Sequence, residues 1–217
     1  MLKHVQKPKL YDLGAVAPVV AWLNFQIVRS LVGASQIIDS QGDALTICSQ
    51  IANVLFLCLV MVLLVIRRPA VRKAKGLLPR LTAIVGCLLP ILVLALPRRN
   101  LTPSMTVFSS AIVFLGTAGS IFVVYWLGRS FAILPQARRL VTGGPYRVVR
   151  HPLYLAELGV MFGCIWEFQQ PWPFVVMLIA IGAQIPRMHF EEQVLAEAFP
   201  AYREYASRTT RLIPCLY

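Results

Sequence analysis

Four stretches of this chain, at roughly residues 13–37, 46–66, 81–96 and 105–128, are almost free of charge; the first carries only Arg29 and the other three carry no Asp, Glu, Lys or Arg. The first, second and fourth approach or exceed the ~20 residues that cross a bilayer core. Two shorter apolar segments follow at 153–166 and 172–186, joined by "EFQQPWP", whose Pro171 and Pro173 mark a tight turn. With 58% hydrophobic and only 14% charged residues, the chain lacks the polar surface of a soluble domain this long. The segment "EEQVLAEAFPAYREYASRTTRLIP", 191–214, has apolar residues at helical spacing with charges between them, so it predicts an amphipathic helix at the membrane surface, broken or kinked at Pro200. The expected fold is all-α: a polytopic transmembrane helix bundle with four long spans, a C-terminal helical hairpin and a cytosolic amphipathic helix. No internal repeat or long linker divides it. Residues 1–128 are read as the transmembrane helices on the lipid-facing substrate side, and 129–217 as a loop, hairpin and C-terminal helix forming one unit.

The net charge of +12 reports orientation rather than nucleic-acid binding. If the segments alternate, Lys3, Lys7 and Lys9, the loops 67–80 and 129–150, and the arginines from Arg187 onward fall on one face, 18 of the 21 basic residues. The opposite loops hold Asp39, Asp43, Arg98, Arg99 and Glu167. The positive-inside rule then places both termini in the cytoplasm, and the basic face meets anionic lipid headgroups. The polar N-terminus, and a first helix ending in Arg29 without an A-x-A-like site, read as no cleavable signal. The five cysteines (Cys48, Cys58, Cys87, Cys164, Cys215) show no metal spacing, and most sit in apolar segments as packing residues. Asn24, Gln26 and Asn53 are read as interhelical hydrogen-bonding residues. Trp126, Trp166 and Trp172 fit interfacial belts.

Chemistry concentrates in "GGPYRVVRHPLYLAELGVMFG", residues 143–163. Gly143 and Gly144 permit a positive φ or a close backbone approach, and Pro152 suits the first position of a helix, which puts His151 at its N-cap. Arg150 flanks it, and Tyr154 and Glu157 follow on the helix. A glutamate is costly in lipid, so Glu157 should face the bundle interior and find a partner. The hairpin's second leg ends in "RMHFEE", with Arg187 and Glu191 four residues apart on one face. Whether the hairpin crosses fully or dips and returns, it brings residues 150 and 187 to the same side, with His189 pointing elsewhere. A mixed-charge pocket there suits a zwitterion and an amphipathic substrate.

"LVTGGPYRVVRHPLYLAELG" followed by "R…EEQVLAEAFPAYREYASRTTRLIP" resembles the isoprenylcysteine carboxyl methyltransferase and phospholipid methyltransferase superfamily of integral membrane enzymes, over roughly 136–214. The resemblance implies an S-adenosylmethionine-dependent methyltransferase acting on a membrane-embedded amphipathic acceptor. It implies that Gly144, Pro145 and Tyr146 close over the cofactor, that Arg150, His151, Tyr154 and Glu157 surround it from the helix start, and that Glu191 or Glu192 binds it from the C-terminal helix. Gln136 stands where the family often has a polar cofactor contact, and Arg187 with Glu191 matches a pair lining the reaction centre. This sequence departs from the family at Ala156, where Gly is common, and at Pro200. Two alternatives stay open: an NADPH-dependent membrane lipid or sterol reductase, whose family usually has Asn where this chain has Leu153, and a non-catalytic membrane protein. The acceptor is a lipid or lipidated small molecule entering from the bilayer; a prenylated cysteine, a phospholipid amine, an isoprenoid and a small thiol all fit.

Overall fold

The computed structural model describes residues 17–39, 43–93 and 96–214. Lys3, Lys7, Lys9, the N-terminus itself and Cys215 lie outside the described residues, as do the side chains of Asp39 and Cys87. The helices are α1 (Ala17–Asp39), α2 (Ala44–Ile66), α3 (Leu78–Val93), α4 (Pro103–Leu127), α5 (Pro152–Cys164), α6 (Trp172–Ala198) and the short α7 (Tyr202–Arg208). Asp43 caps α2, its carboxylate accepting from the Leu45 and Thr46 amides. α4 and α5 begin with Pro103 and Pro152, where a missing N–H costs nothing.

The principal helix contacts run α1–α2, α2–α4 and α4–α5 on one side and α3–α6 on the other. The α4–α5 seam is made of small residues. A Cβ on Gly116 would lie 2.7 Å from the Val160 amide nitrogen, and one on Gly163 would lie 2.7 Å from the Val113 side chain. Ala156 faces Gly119, where even an added Cβ would stay 3.6 Å from the Ala156 methyl, so the alanine that departs from the family pattern is accommodated. Small residues let two helices approach closely where lipid offers no hydrophobic drive to associate. At one end of the seam Ser109 lies within hydrogen-bond distance of both the Gly163 carbonyl and the Glu167 carboxylate. Asn53 donates to Ser30 across α1–α2 as expected, but Asn24 bonds back to Val20 of its own helix.

Loop pairing orders the two ends. At one end Arg99 donates its amide to the Glu167 carbonyl and Gln169 to Pro97. At the other, a two-stranded antiparallel ribbon joins β1 (Arg72–Lys73) to β2 (Gln136–Ala137), and Arg68 bonds the Arg129 carbonyl. The basic loops 67–80 and 129–151 therefore share one end of the bundle, as the charge pattern requires.

Two expectations need correction, and a third stands unconfirmed. By length and composition the candidate spans are α2, α4 (with its 3-10 extension to Ser130) and α6. The apolar part of α1 is shorter, Val19–Ser35, and α3 has 16 described residues, so among the described residues three long spans are present and a fourth is not confirmed. The segment 172–186 is not a short leg but the first half of a 27-residue helix. Pro186 forfeits one backbone bond, yet the helix continues because its buried stripe (Pro173, Ala180, Gln184, Arg187, Met188, Glu192) runs straight through it. That stripe turns polar halfway, which is why hydropathy alone ends it early. Finally, the break foreseen at Pro200 is present, between Ala198 at the end of α6 and Tyr202 at the start of α7, but 191–198 belongs to the long helix and 209–214 is an irregular strap rather than helix. The all-α reading also omitted the β1–β2 ribbon.

A 27-residue helix is ~40 Å long, about 10 Å more than a hydrocarbon core. Counting from Trp172, the core is spent near residue 191, so Glu191 and Glu192 emerge at the basic end and Arg187 lies about one turn inside it.

Candidate functional site

The site is assembled at that end from four pieces of chain: the turn after α4, the Gly-Gly-Pro turn, the start of α5, and the last turns of α6 with the strap behind them. Phe131 anchors the first piece by inserting into the apolar cluster of Leu23, Leu57, Val60, Leu64 and Val124. Beyond it, β2 fixes Gln136 and the buried Ala137.

Gly144 adopts φ +59°, and a Cβ there would lie 2.2 Å from the Trp126 ring. The positive φ foreseen for this glycine is present, and its close neighbour is the indole of α4, where the sequence suggested a ligand. Pro145 starts the following 3-10 turn, which delivers Tyr146 inward. The Tyr146 carbonyl accepts from the Tyr205 hydroxyl at 2.6 Å. The strap then runs beside the His-Pro junction, Arg150 and His151 donating their amides to the Thr210 and Arg211 carbonyls.

Two carboxylates organise the charges. Glu192 is a hub: His151 Nε2 lies 3.0 Å from Oε1, Arg150 donates to Oε2 at 3.1 Å, and Arg211 donates to Oε1 at 3.0 Å and Oε2 at 2.9 Å. Its neighbour Glu191 points the other way. It accepts from the Tyr154 hydroxyl and lies 3.7 Å from Arg187 Nε. The Arg187 guanidinium stacks over the Tyr154 ring at 4.8 Å and donates to the Ile133 carbonyl at 3.2 Å. It also reaches Gln184 Oε1 at 3.4 Å, and Gln184 in turn donates to Glu157 at 3.2 Å. Glu157 therefore has the interior partner its cost demanded. The result is a polar line from the basic end into the bilayer-spanning region: Glu191, Tyr154 and Arg187, then Gln184 and Glu157.

A cleft of ≈ 690 Å³, mouth included, opens beside this line. Of the sequence-predicted residues, Gln136, Tyr146, Arg150, His151 and Glu191 line it. Tyr154, Glu157, Arg187 and Glu192 stand behind that lining, while Gly144 and Pro145 shape the turn. His189 is exposed and bonds Gln193, on another face as expected. Sequence reasoning missed Gln184, Arg138, Arg211, Tyr202 and Tyr205. Gln184 had a signal, a polar residue three before Arg187 on the same face; the two arginines were lost in the general basic excess.

Burial, reinforced by Glu191 for Tyr146 and by Glu192 for Tyr202, pushes both phenols well above the usual tyrosine range. Burial likewise raises Tyr205 to about 12, Arg150 opposing and Glu192 adding to the rise. All three are neutral donors at neutral pH. Among the described residues no His, Cys, Asp and Glu cluster could hold a metal ion.

Apolar helices long enough to cross a bilayer, with a cleft of mixed polar and apolar lining at their basic end, mark an integral membrane protein. Residues 101–202, just under half of the chain, match the phospholipid methyltransferase family. It is also 34% identical over 106 residues to the cobalt-zinc-cadmium resistance protein CzcN of Cupriavidus metallidurans, covering 48% of this chain and 46% of that protein. A second relative is the nickel-cobalt-cadmium resistance protein NccN of Alcaligenes xylosoxydans xylosoxydans, 29% identical over 82 residues, 37% of this chain and 38% of that one. The matched part spans less than half the length of either.

Proposed function

We propose that this protein transfers a methyl group from S-adenosylmethionine to an amphipathic acceptor held in the membrane, with the site and both termini on the cytoplasmic side. The observation that carries the reading is the Arg187–Tyr154–Glu191 cluster, set where a cleft at the basic end meets the polar line entering the helices. The lining suits the donor's chemistry. Tyr146, Tyr202, Tyr205, Leu127 and Leu195 offer aromatic and apolar surface for a nucleoside, and Gln136, Arg138, His151 and Glu191 offer polar contacts for a zwitterion.

The bound donor supplies an already electrophilic methyl group, so the protein's work is alignment and exclusion of water. Arg187, locked by the Tyr154 ring and the Ile133 carbonyl, orients an anionic acceptor head. A carboxylate or thiolate acceptor needs no base; for an amine, Glu191 or His151 takes the proton. Glu192 holds Arg150 and His151 in place. As acceptor from His151 it sets the proton on Nε2 and turns Nδ1 elsewhere. Exposed Val71, Leu77 and Leu78, interleaved with Arg72, Lys75 and Arg80 on the 67–80 loop, suit an anionic lipid surface.

The test is calorimetry of detergent-purified protein with S-adenosylmethionine and with NADPH, followed by methyl transfer from labelled donor to fractionated membrane lipids. Donor binding with label entering a lipid fraction is the expected result. NADPH binding, or silence toward both ligands in folded protein, would end the proposal.

A further inference from the structure

One stretch of chain, 130–141, forms a large part of the cleft wall, with Ser130, Ala132, Leu134, Gln136 and Val141 among its lining. Behind that wall runs the basic loop 67–80, which does not line the cleft itself. The two segments are laced together. Arg68 donates its amide to the Arg129 carbonyl at 2.9 Å, Val71 to Ala137 at 2.8 Å and Ala74 to Pro135 at 3.1 Å. Arg129 Nε returns a bond to the Ile66 carbonyl, and the strand pairing sets Lys73 against Gln136. Each strand is only two residues long, and so short a ribbon has little stability of its own. The Arg72–Glu197 ion pair that holds it to α6 is exposed on both sides and adds little. The wall behind Gln136 therefore depends on what the outer face of the loop meets.

That outer face has a definite chemistry. Residues 67–80 carry six basic side chains and no acidic one. Val71, Leu77 and Leu78 stand 65%, 68% and 61% exposed among them. The loop leaves α2 at Ile66 and enters α3 at Leu78, which sets it at the level of the lipid headgroups. Basic side chains interleaved with exposed apolar ones suit anionic headgroups above acyl chains, whereas a soluble anion would leave the apolar ones in water.

We propose that an anionic membrane surface, seated on the 67–80 loop, raises donor affinity in the cleft by holding the β1–β2 ribbon paired. The inference rests on the methyltransferase reading and adds a regulation to it. Lipid that favours the paired ribbon favours the wall the donor needs, and by linkage the bound donor strengthens the loop's hold on the lipid.

The experiment measures S-adenosylmethionine binding to the full chain in nanodiscs of phosphatidylcholine alone and of phosphatidylcholine with phosphatidylglycerol. Amide exchange of 67–80 and 129–141 is followed in both discs without donor. Wild type should bind the donor at least about fivefold more tightly in the anionic discs, where the Val71 and Ala74 amides should also exchange more slowly. Lys75→Gln combined with Arg80→Gln changes two exposed side chains; it should lose most of the gain in both readouts, yet bind the donor in neutral discs within about twofold of wild type. Ala74→Pro removes the bond to the Pro135 carbonyl, so its donor affinity should be the same in both discs. A gain that survives in Ala74→Pro would be accumulation of the cationic donor at an anionic surface and would overturn the inference. Equal wild-type affinity in the two discs, or an undiminished gain in the Lys75 and Arg80 variant, would overturn it as well, whether or not Ala74→Pro folds. If polyglutamate added to neutral discs slowed the same amides as strongly, the surface would belong to a soluble acidic partner and the inference would fail. A wild type that binds no donor in either disc ends the methyltransferase reading and the coupling with it, while the exchange contrast still decides the lipid surface.

Discussion

Glu192 receives hydrogen bonds from three residues that belong to two chain segments, so Glu192→Gln asks how much of the basic end depends on one carboxylate. Arg150 and His151 come from the α5 entry, and Arg211 comes from the strap fourteen or more residues beyond α6's last carboxylates. The amide keeps the shape, removes the charge, and turns one acceptor into a donor that faces cations. Each hydrogen bond to a charged group is worth ~1.5–3 kcal/mol, and breaking a buried pair costs ~3–5 kcal/mol. Glu192 is 11% exposed at its side chain but Arg211 is 26% exposed, so water recovers part of that loss. We expect about 3 kcal/mol, which for a chain of this size lowers Tm by roughly 6–12 °C. The comparison variant is Glu204→Gln, whose ion pair with Arg208 is exposed on both sides and should contribute less than about 1 kcal/mol. Thermal unfolding in one detergent, with limited proteolysis of the C-terminal strap, reads both. If Glu192→Gln melted within 2 °C of wild type (roughly 1 kcal/mol) and kept its strap protected, the hub would be incidental.

Three further results should follow. Arg187→Ala should retain donor binding within about threefold while turnover falls on the order of 10²-fold, as when a preorganised donor group is removed; full turnover at limiting acceptor would take Arg187 out of the mechanism. Gly144→Ala combines a left-handed backbone with a collision against Trp126, so a loss of about 1–3 kcal/mol is expected, partly relieved in the Trp126→Ala background, and additive behaviour of the two changes would refute the contact. Gly116→Ala must push α4 from the Val160 backbone whereas Gly119→Ala meets only the Ala156 methyl at 3.6 Å, so the first should lower Tm clearly more than the second, and equal shifts would mean the seam is not tight.

The sequence by itself marked the long apolar spans, the basic loops that share one end of the bundle and the residues of the polar cluster. Apolar runs this long and free of charge suit a bilayer core, and the arginines gather in loops that the fold brings to one end. His151, Tyr154, Glu157, Arg187 and Glu191 were legible because a polar residue at the edge of an apolar helix must have a partner, and helical spacing puts Arg187 and Glu191 together. Pairing across the chain was not legible. That Glu191 goes to Tyr154 and Glu192 to Arg150, His151 and Arg211 depends on the rotation of α6 against α5, which no local periodicity encodes. The same holds for Gly144, whose bare face is explained by an indole eighteen residues upstream in α4. Arg138 looked like any loop arginine until the β1–β2 ribbon placed it inward and Arg139 outward. Burial is a property of the assembled surface, so tertiary structure alone could separate a buried cation from an exposed one.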